Sequence, residues 1–299
     1  MVALKSMRLF SLIFIILFSY HAHSSSLPLF NFYSPFHGSR FIVPLTENPR
    51  TSIIILHGSE GGSEHFLDSE AISLAQKGYS VLLYCYFDCN RGSGLRQTLK
   101  NVEVSNILKA VEWLKFQYQS NKKVIVYGFS RGAELSLIVG SLSSLNGISI
   151  DALIAHSPSD VYNGPWNWNW VDPKCWRCKI GTGQCHPGSP KSDFIWNHKC
   201  GPDDPNKMDL SKSAWQLFNK NFLARTQIKI ETYRGHILIT VGNKDEVWPV
   251  EQTKRIENRL KSSSKTVEIH YFPNDGHVFK GKSELIRRQL VLDFLSRVN

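Results

Sequence analysis

The chain predicts a doubly wound, mostly parallel α/β sheet carrying a tryptophan- and cysteine-rich, cap-like insertion. Three observations carry that reading: short apolar runs recur along the sequence, helical periodicity fills the intervals, and one long stretch at about residues 160–225 breaks the alternation. The runs are Ser52–Leu56, Val81–Tyr86, Lys123–Tyr127, Ala152–Ala155, Ile237–Val241 and Val267–Phe272. Most are apolar throughout, the pattern of strands covered on both faces.

The N-terminal segment comes first in order and is not part of the sheet. Lys5 and Arg8 precede an apolar run from Leu9 to Tyr20, and the small residues Ala22 and Ser24 follow. That run is shorter than the roughly 20 residues a bilayer span needs. The pattern predicts a secretory signal peptide, residues 1–24, cut near Ser24–Ser25. Residues 25–299 then form one domain, secreted or periplasmic. No later segment is apolar for long enough to span a membrane, so no integral membrane segment is expected in the mature chain.

The first strand, Ser52–Leu56, runs into the glycine-rich loop His57-Gly58-Ser59-Glu60-Gly61-Gly62 and then a helix over Glu64–Lys77. Val104, Ile107, Leu108, Val111, Leu114 and Tyr118 repeat at helical spacing before the strand Lys123–Tyr127. A helical run from Ala133 to Leu142 follows that strand, and Ile286, Leu290, Phe294 and Val298 mark the final helix. Strand–helix units repeated in this way build a doubly wound sheet. Between about Asp160 and Arg225 the rhythm gives way to Trp166, Trp168, Trp170, Trp176 and Trp196, four cysteines and many Pro, Gly and Asn. A stretch this long without regular structure is functional or separately stapled. It is expected to cap the carboxyl edge of the sheet, with its tryptophans lining or covering a pocket there.

Composition narrows the function. Hydrophobic residues are 42% and charged residues 20% of the chain, which excludes a disordered or collagen-like protein. The formal charge is +10, but Lys and Arg are scattered and no basic run interleaved with aromatics is present, so no nucleic-acid partner is expected.

The chemistry sits in Gly128-Phe129-Ser130-Arg131-Gly132. Alone, a G-x-S-x-G is weak. Between a strand and a helix it is the setting of a nucleophile elbow, in which glycines permit a tight turn and the helix N-terminus favours developing negative charge. A serine hydroxyl also needs a general base oriented by a third group. Asp245 lies just past the strand Ile237–Val241, and His277 lies in the loop after the last strand. Nucleophile, acid and base thus occur in the chain order this arrangement requires, each at a strand end. Glu246 is the alternative acid, and Asp275 is read as a turn residue. His270, inside a strand, and His236, before one, are read as packed or surface histidines. The oxyanion donors are expected to be the backbone N–H of Arg131 and that of Ser59, with Glu60 next. No cofactor and no metal are required by this chemistry.

With these motifs in view, the chain resembles the C-terminal catalytic domain of the acyl-CoA thioester hydrolase / bile-acid-CoA:amino-acid N-acyltransferase family, α/β-hydrolases related to dienelactone hydrolases. The resemblance runs from about Ser52 to the C-terminus. It rests on HGSEGG (57–62), GFSRGAELSL (128–137), SPSDVYNG (157–164), SAW (213–215), VGNKDEVWP (241–249) and FPNDGH (272–277). It implies Ser130 as nucleophile, Asp245 as acid and His277 as base. A serine in place of the cysteine of some members implies hydrolysis rather than acyl transfer to an amine. The expected function is a serine acyl hydrolase acting on an ester or thioester. A carboxylesterase or dienelactone-hydrolase-like enzyme, a peptidase, and a non-catalytic binding protein on the same fold are the alternatives. With about 25 residues between the expected cleavage site and Arg50, the family's N-terminal β-sandwich is not expected here, and export is expected to separate the enzyme from the cytoplasmic CoA pool.

Six cysteines in an exported chain favour disulfides, and two are expected among Cys175, Cys178, Cys185 and Cys200. The competing assignment is a zinc site built from these with His186 and His198. Cys85 and Cys89 flank a strand end and either pair locally or stay reduced.

Overall fold

The structure, a computed structural model, describes residues 29–32, 34–44, 51–63, 66–89, 96–117, 123–179, 194–265 and 267–298. The expected signal peptide lies outside these residues, as do Cys185 and His186. In chain order the first strands are β1 (Leu29–Phe32), β2 (Arg40–Pro44), β3 (Thr51–Leu56), β4 (Ser80–Tyr84) and β5 (Val102–Glu103). Then come β6 (Lys123–Phe129), β7 (Ala152–His156), β8 (Trp176–Cys178) and β9 (Phe194–Trp196). The last are β10 (Lys212–Leu217), β11 (Lys220–Leu223), β12 (His236–Gly242) and β13 (Glu268–Phe272). The α-helices are α1 (Asp68–Gln76), α2 (Ser105–Gln117), α3 (Arg131–Ser143), α4 (Val250–Ser262) and α5 (Gly281–Val298).

Among the described residues one sheet has eight strands in the order β1-β2-β4-β3-β6-β7-β12-β13. The two pairs involving β2 are antiparallel and the others are parallel. The six apolar runs read from the sequence correspond to β3, β4, β6, β7, β12 and β13. The edge strand β1 and its neighbour β2 are additional: β1 shows three of its four residues exposed and has no continuous apolar signature. Helix α1 starts at Asp68, later than expected, and α5 starts at Gly281, earlier than its apolar stripe indicates.

The sheet is covered on both faces, which is why its strands are apolar throughout. Ile54, Leu56, Val124, Val126 and Leu153 pack with α2 and α3 on one side; Ile53, Ile55, Ile125, Tyr127 and Ile154 pack with α1 and α5 on the other. Every residue of α3 is buried. After β3 the chain moves outward to β4; after β6, β3's other neighbour, it moves the opposite way to β7. Such a reversal opens a crevice at the carboxyl ends of the two strands. Register sharpens the position: Leu56 pairs with Gly128, and Phe129 pairs with His156. The loops that leave β3, β6 and β7 therefore start side by side.

The insertion is more structured than its composition indicates. It holds the hairpin β8–β9, the pair β10–β11, and several 3-10 turns. Strand β10 also runs parallel to β5, which ties the insertion to the segment before α2. Its tryptophans use their indole N–H groups on nearby carbonyls: Trp170 on Asp203, Trp176 on Trp170, and Trp196 on Gly201. Trp196 is fully buried. A disulfide joins Cys175 to Cys200 across the base of the hairpin, and Cys178 is disulfide-bonded as well. A zinc site drawn from these cysteines would need their thiolates, and the disulfides consume them. Cys85 and Cys89 form a local disulfide of their own. Disulfides suit an oxidising compartment. No helix among the described residues is long and apolar enough to cross a membrane.

Candidate active site

The turn from β6 into α3 is made by residues that leave it no alternative. A Cβ on Gly128 would lie 2.0 Å from the Gly132 carbonyl oxygen, and one on Gly132 would lie 2.2 Å from the Leu56 carbonyl oxygen. Only glycine lets strand, turn and helix approach this closely. Ser130 between them adopts φ +53° and ψ −116°, a region that L-residues avoid at a cost of about 1–3 kcal/mol. Its backbone N–H donates to the His156 carbonyl, so the strain is held by the sheet. The side chain consequently stands at the head of α3, where backbone N–H groups lack intrahelical partners and the helix dipole is positive.

Two further loops are zipped together beside it. The Asn243 N–H donates to the Phe272 carbonyl and the Lys244 N–H to the Asp275 carbonyl, joining the ends of β12 and β13. Asp245 follows at once. Its side chain is fully buried, and its Oδ1 accepts from the N–H groups of Val247 and Trp248, at 2.9 and 2.8 Å. His277 reaches back with Nδ1 2.9 Å from Asp245 Oδ2 and Nε2 2.8 Å from Ser130 Oγ. The structure thus joins Ser130, His277 and Asp245 in one hydrogen-bonded line. Glu246 takes a different position and accepts the backbone N–H of His277. Asp275 shapes its turn by accepting from the Ser283 hydroxyl. His270 pairs with Glu268 in β13, and His236 is exposed at the start of β12.

Ser59, Glu60 and Arg131 line the same cavity as Ser130 and His277. The Arg131 N–H lies in the first turn of α3, where it has no carbonyl to serve within the helix. The loop carrying Ser59 is fixed from below. His57 is stacked on Tyr86 with 4.1 Å between ring centroids, and its Nε2 accepts the Tyr86 N–H. Its Nδ1–H is therefore left to donate to the Gly58 carbonyl. Burial pulls the His57 pKa down to about 4, so the ring is neutral. His156 is buried too, and burial, with Arg287 and His277 nearby, holds its pKa well below the ordinary range.

The cavity has a volume of about 950 Å³. Trp166 and Trp168 of the insertion line it, as expected, but Trp170, Trp176 and Trp196 do not: their rings build the insertion's own interior. Trp248, from the loop after β12, lines it as well. Pattern reading also missed Glu134. This carboxylate, fully buried on α3, accepts from the Arg131 guanidinium, from the Trp215 indole N–H, and from both the backbone N–H and the side-chain amide of Asn163. Arg131 in turn donates to the Gly164 carbonyl and lies over the Trp215 ring. The cavity wall Asn163–Trp168 is fastened in this way to the helix that carries Ser130. On the far side, Arg287 is saturated by Glu70, Glu284 and Tyr127.

A family model described as BAAT / acyl-CoA thioester hydrolase C terminal matches residues 102–281. A second, X-Pro dipeptidyl-peptidase (S15 family), matches residues 21–169. No curated protein matches in sequence. Among solved structures, a candidate dienelactone hydrolase from Klebsiella pneumoniae aligns at TM-score 0.57 and 13% identity, covering 89% of this chain and 96% of that one. A Pyrococcus furiosus esterase aligns at TM-score 0.57 and 18% identity, covering 91% and 93%. A Pyrococcus horikoshii acylaminoacyl peptidase aligns at TM-score 0.51 and 17% identity, covering 91% of this chain and 41% of that one. At these identities the likeness establishes the fold, that of the α/β-hydrolases.

Proposed function

We propose that this chain, which belongs to the BAAT / acyl-CoA thioester hydrolase C-terminal family, is an exported serine hydrolase that cleaves an ester or thioester through an acyl-enzyme on Ser130. The observation that carries the reading is the unbroken line from Asp245 through His277 to Ser130, with contacts of 2.9 and 2.8 Å.

Each group has a role that follows from its surroundings. Ser130 Oγ attacks the acyl carbon while His277 Nε2 takes its proton, then returns it to the leaving group. Asp245 accepts the Nδ1–H of His277 and so fixes the tautomer that leaves Nε2 free to act as base. Two backbone donors hold Asp245 in place for this. The N–H groups of Arg131 and Ser59 are the donors for the oxyanion. Water activated by His277 then releases the acid. The disulfides Cys85–Cys89 and Cys175–Cys200 support a site of action outside the cytoplasm.

The test is labelling by a fluorophosphonate probe, followed by a hydrolysis screen over p-nitrophenyl esters and acyl-CoAs. The parent protein should label and S130A should not. A parent protein that neither labels nor turns over any ester or thioester overturns the reading. The match of residues 21–169 to the X-Pro dipeptidyl-peptidase family favours a second reading, amide cleavage. A proline-containing nitroanilide added to the screen tells the two apart.

A further inference from the structure

Exposed apolar side chains are ordinary when scattered, and most on this molecule are. Four are not scattered. Phe66, Trp168, Val247 and Val278 are 43–58% exposed, and all four also line the cavity that holds Ser130. Side chains that both line a cavity and face solvent stand at its opening. They come from four separate segments: the turn before α1, the insertion, the loop after β12 and the loop after β13. Trp168 spends its one polar atom on the Ser59 carbonyl, so the part of its ring left outward is apolar. Leu285, 68% exposed in the first turns of α5, follows the lining residue Glu284 directly in the chain.

The unpaired charge around this opening is mostly positive. Glu284 and Glu70 are taken by Arg287 and Arg288. Glu246 accepts the His277 backbone N–H but keeps its charge, with no ion-pair partner among the described residues, and stands against two lysines. Lys280, which lines the cavity, and Lys282 are exposed and have no ion-pair partner among the described residues. Apolar side chains interleaved with unpaired lysines complement a surface that is apolar beneath and negative on top, such as a bilayer containing anionic lipid.

We infer that the mouth of the cavity is a docking ring for an anionic lipid surface, from which the enzyme draws lipid-borne acyl esters. The second clause rests on the hydrolase reading given above; the docking does not. Docked in this way, Phe66, Trp168, Val247 and Val278 enter the headgroup boundary, the lysines meet lipid phosphates, and an acyl chain passes into the cavity without crossing bulk water.

The test uses the exported, processed protein sedimented with vesicles of phosphatidylcholine containing phosphatidylglycerol, and with vesicles of phosphatidylcholine alone. The parent should bind the anionic vesicles, and added salt should weaken that binding. K282E/L285S should bind them at least about tenfold more weakly, since each lysine near such a surface is worth about fivefold. Neither residue lines the cavity, so hydrolysis of soluble p-nitrophenyl acetate should be unchanged in this variant. F66S/V278S should also lose vesicle binding, read by sedimentation alone. Equal binding to both vesicle types, no binding by the parent, or undiminished binding by both variants overturns the inference. A concentration-dependent dimer that K282E/L285S abolishes also overturns it, because a second copy would then own this face. A parent protein that sediments with vesicles but hydrolyses no ester would sink the hydrolase reading and leave the docking intact.

Discussion

The elbow at Ser130 and the insertion that walls the cavity obtain their order by different means. In the elbow, order is local and steric: two glycines without room for a Cβ, a strained serine, and hydrogen bonds within the sheet. In the insertion, order is made by side chains: indole N–H groups on carbonyls 5 to 33 residues away, one buried carboxylate with four donors, and disulfides. The first kind of order fixes the side chains of Ser130, His277 and Asp245 to within a hydrogen bond. The second fixes the shape of a pocket, and it can be loosened while the sheet stays intact. The two regions meet at Arg131 and Glu134, where the elbow helix holds the insertion.

The largest expected effect breaks the first region alone. S130A and H277A should each lower kcat by about three to six orders of magnitude, and the double variant should be little worse, because the residues act as a unit. D245N should cost about four orders. In that variant the amide oxygen keeps the N–H groups of Val247 and Trp248, so the NH2 faces His277 and imposes the wrong tautomer. Ester hydrolysis, with circular dichroism confirming an intact fold, measures all three. Near-normal turnover in S130A would sink the mechanism.

The second prediction cuts the joint between the regions. E134Q keeps the volume but turns an NH2 toward two donors, Arg131 and the Asn163 amide, and leaves the Arg131 charge unpaired. Loss of one partner from a buried pair costs about 3–5 kcal/mol. The melting temperature should fall, and KM for bulky acyl groups should rise more than kcat falls. Hydrogen exchange should accelerate through residues 160–225 while β6 stays protected. Uniform acceleration across the sheet would show that the two regions are one cooperative unit.

How much of this was legible in sequence follows from the same contrast. Strands buried on both faces announce themselves as apolar runs, and residues at strand ends are read from the loop that follows; Ser130, Asp245 and His277 are of this kind. Position alone favours Asp245 over Glu246, and the backbone donors at Val247 and Trp248 are the physical reason it faces the histidine ring. Glu134 reads locally only as an ordinary i,i+3 pair with Arg131, because its other partners, Asn163 and Trp215, lie 29 and 81 residues away. The division of the tryptophans into Trp166 and Trp168 at the cavity and Trp196 in an interior was equally hidden, since composition counts indoles and does not say which carbonyls they meet. The edge strand β1 escaped because it faces solvent and lacks the continuous apolar run that marks the others; β2 beside it does bury an apolar run, Phe41–Pro44, that lies outside the six runs read from the sequence.

A third prediction loosens the insertion without touching Glu134. The disulfide Cys175–Cys200 closes a loop of 25 residues, worth about 3 kcal/mol in chain entropy. C175S/C200S should destabilise by about that amount and should shift the preference for acyl chain length. Turnover of a short acetyl ester should be close to that of the parent. If the short ester loses as much as the long one, the insertion helps hold the triad as well as the pocket.

The smallest effect returns to the floor of the elbow region and concerns pH. His57 is neutral when folded, with its pKa brought down to about 4 by burial, against about 6.5 when unfolded. In the interval between those values the unfolded chain binds the extra proton, so acid favours unfolding. The stabilisation is complete above pH 6.5 and is lost as pH falls toward 4; by linkage it amounts to about 2 kcal/mol between pH 7 and 5. His156, lowered in the same direction by its own burial, adds to the slope with the same sign. Urea unfolding at a series of pH values measures the total, and H57Q should remove the share that belongs to His57. The ring also carries the glycine-rich loop, through its stack on Tyr86 and its bond to the Gly58 carbonyl. Protonation should therefore reach the Ser59 N–H before it reaches the insertion. Exchange at Gly58–Gly62 should rise on acidification while Cys175–Cys200 and its hairpin stay unchanged, and the opposite order would place the weak point of the molecule in the insertion.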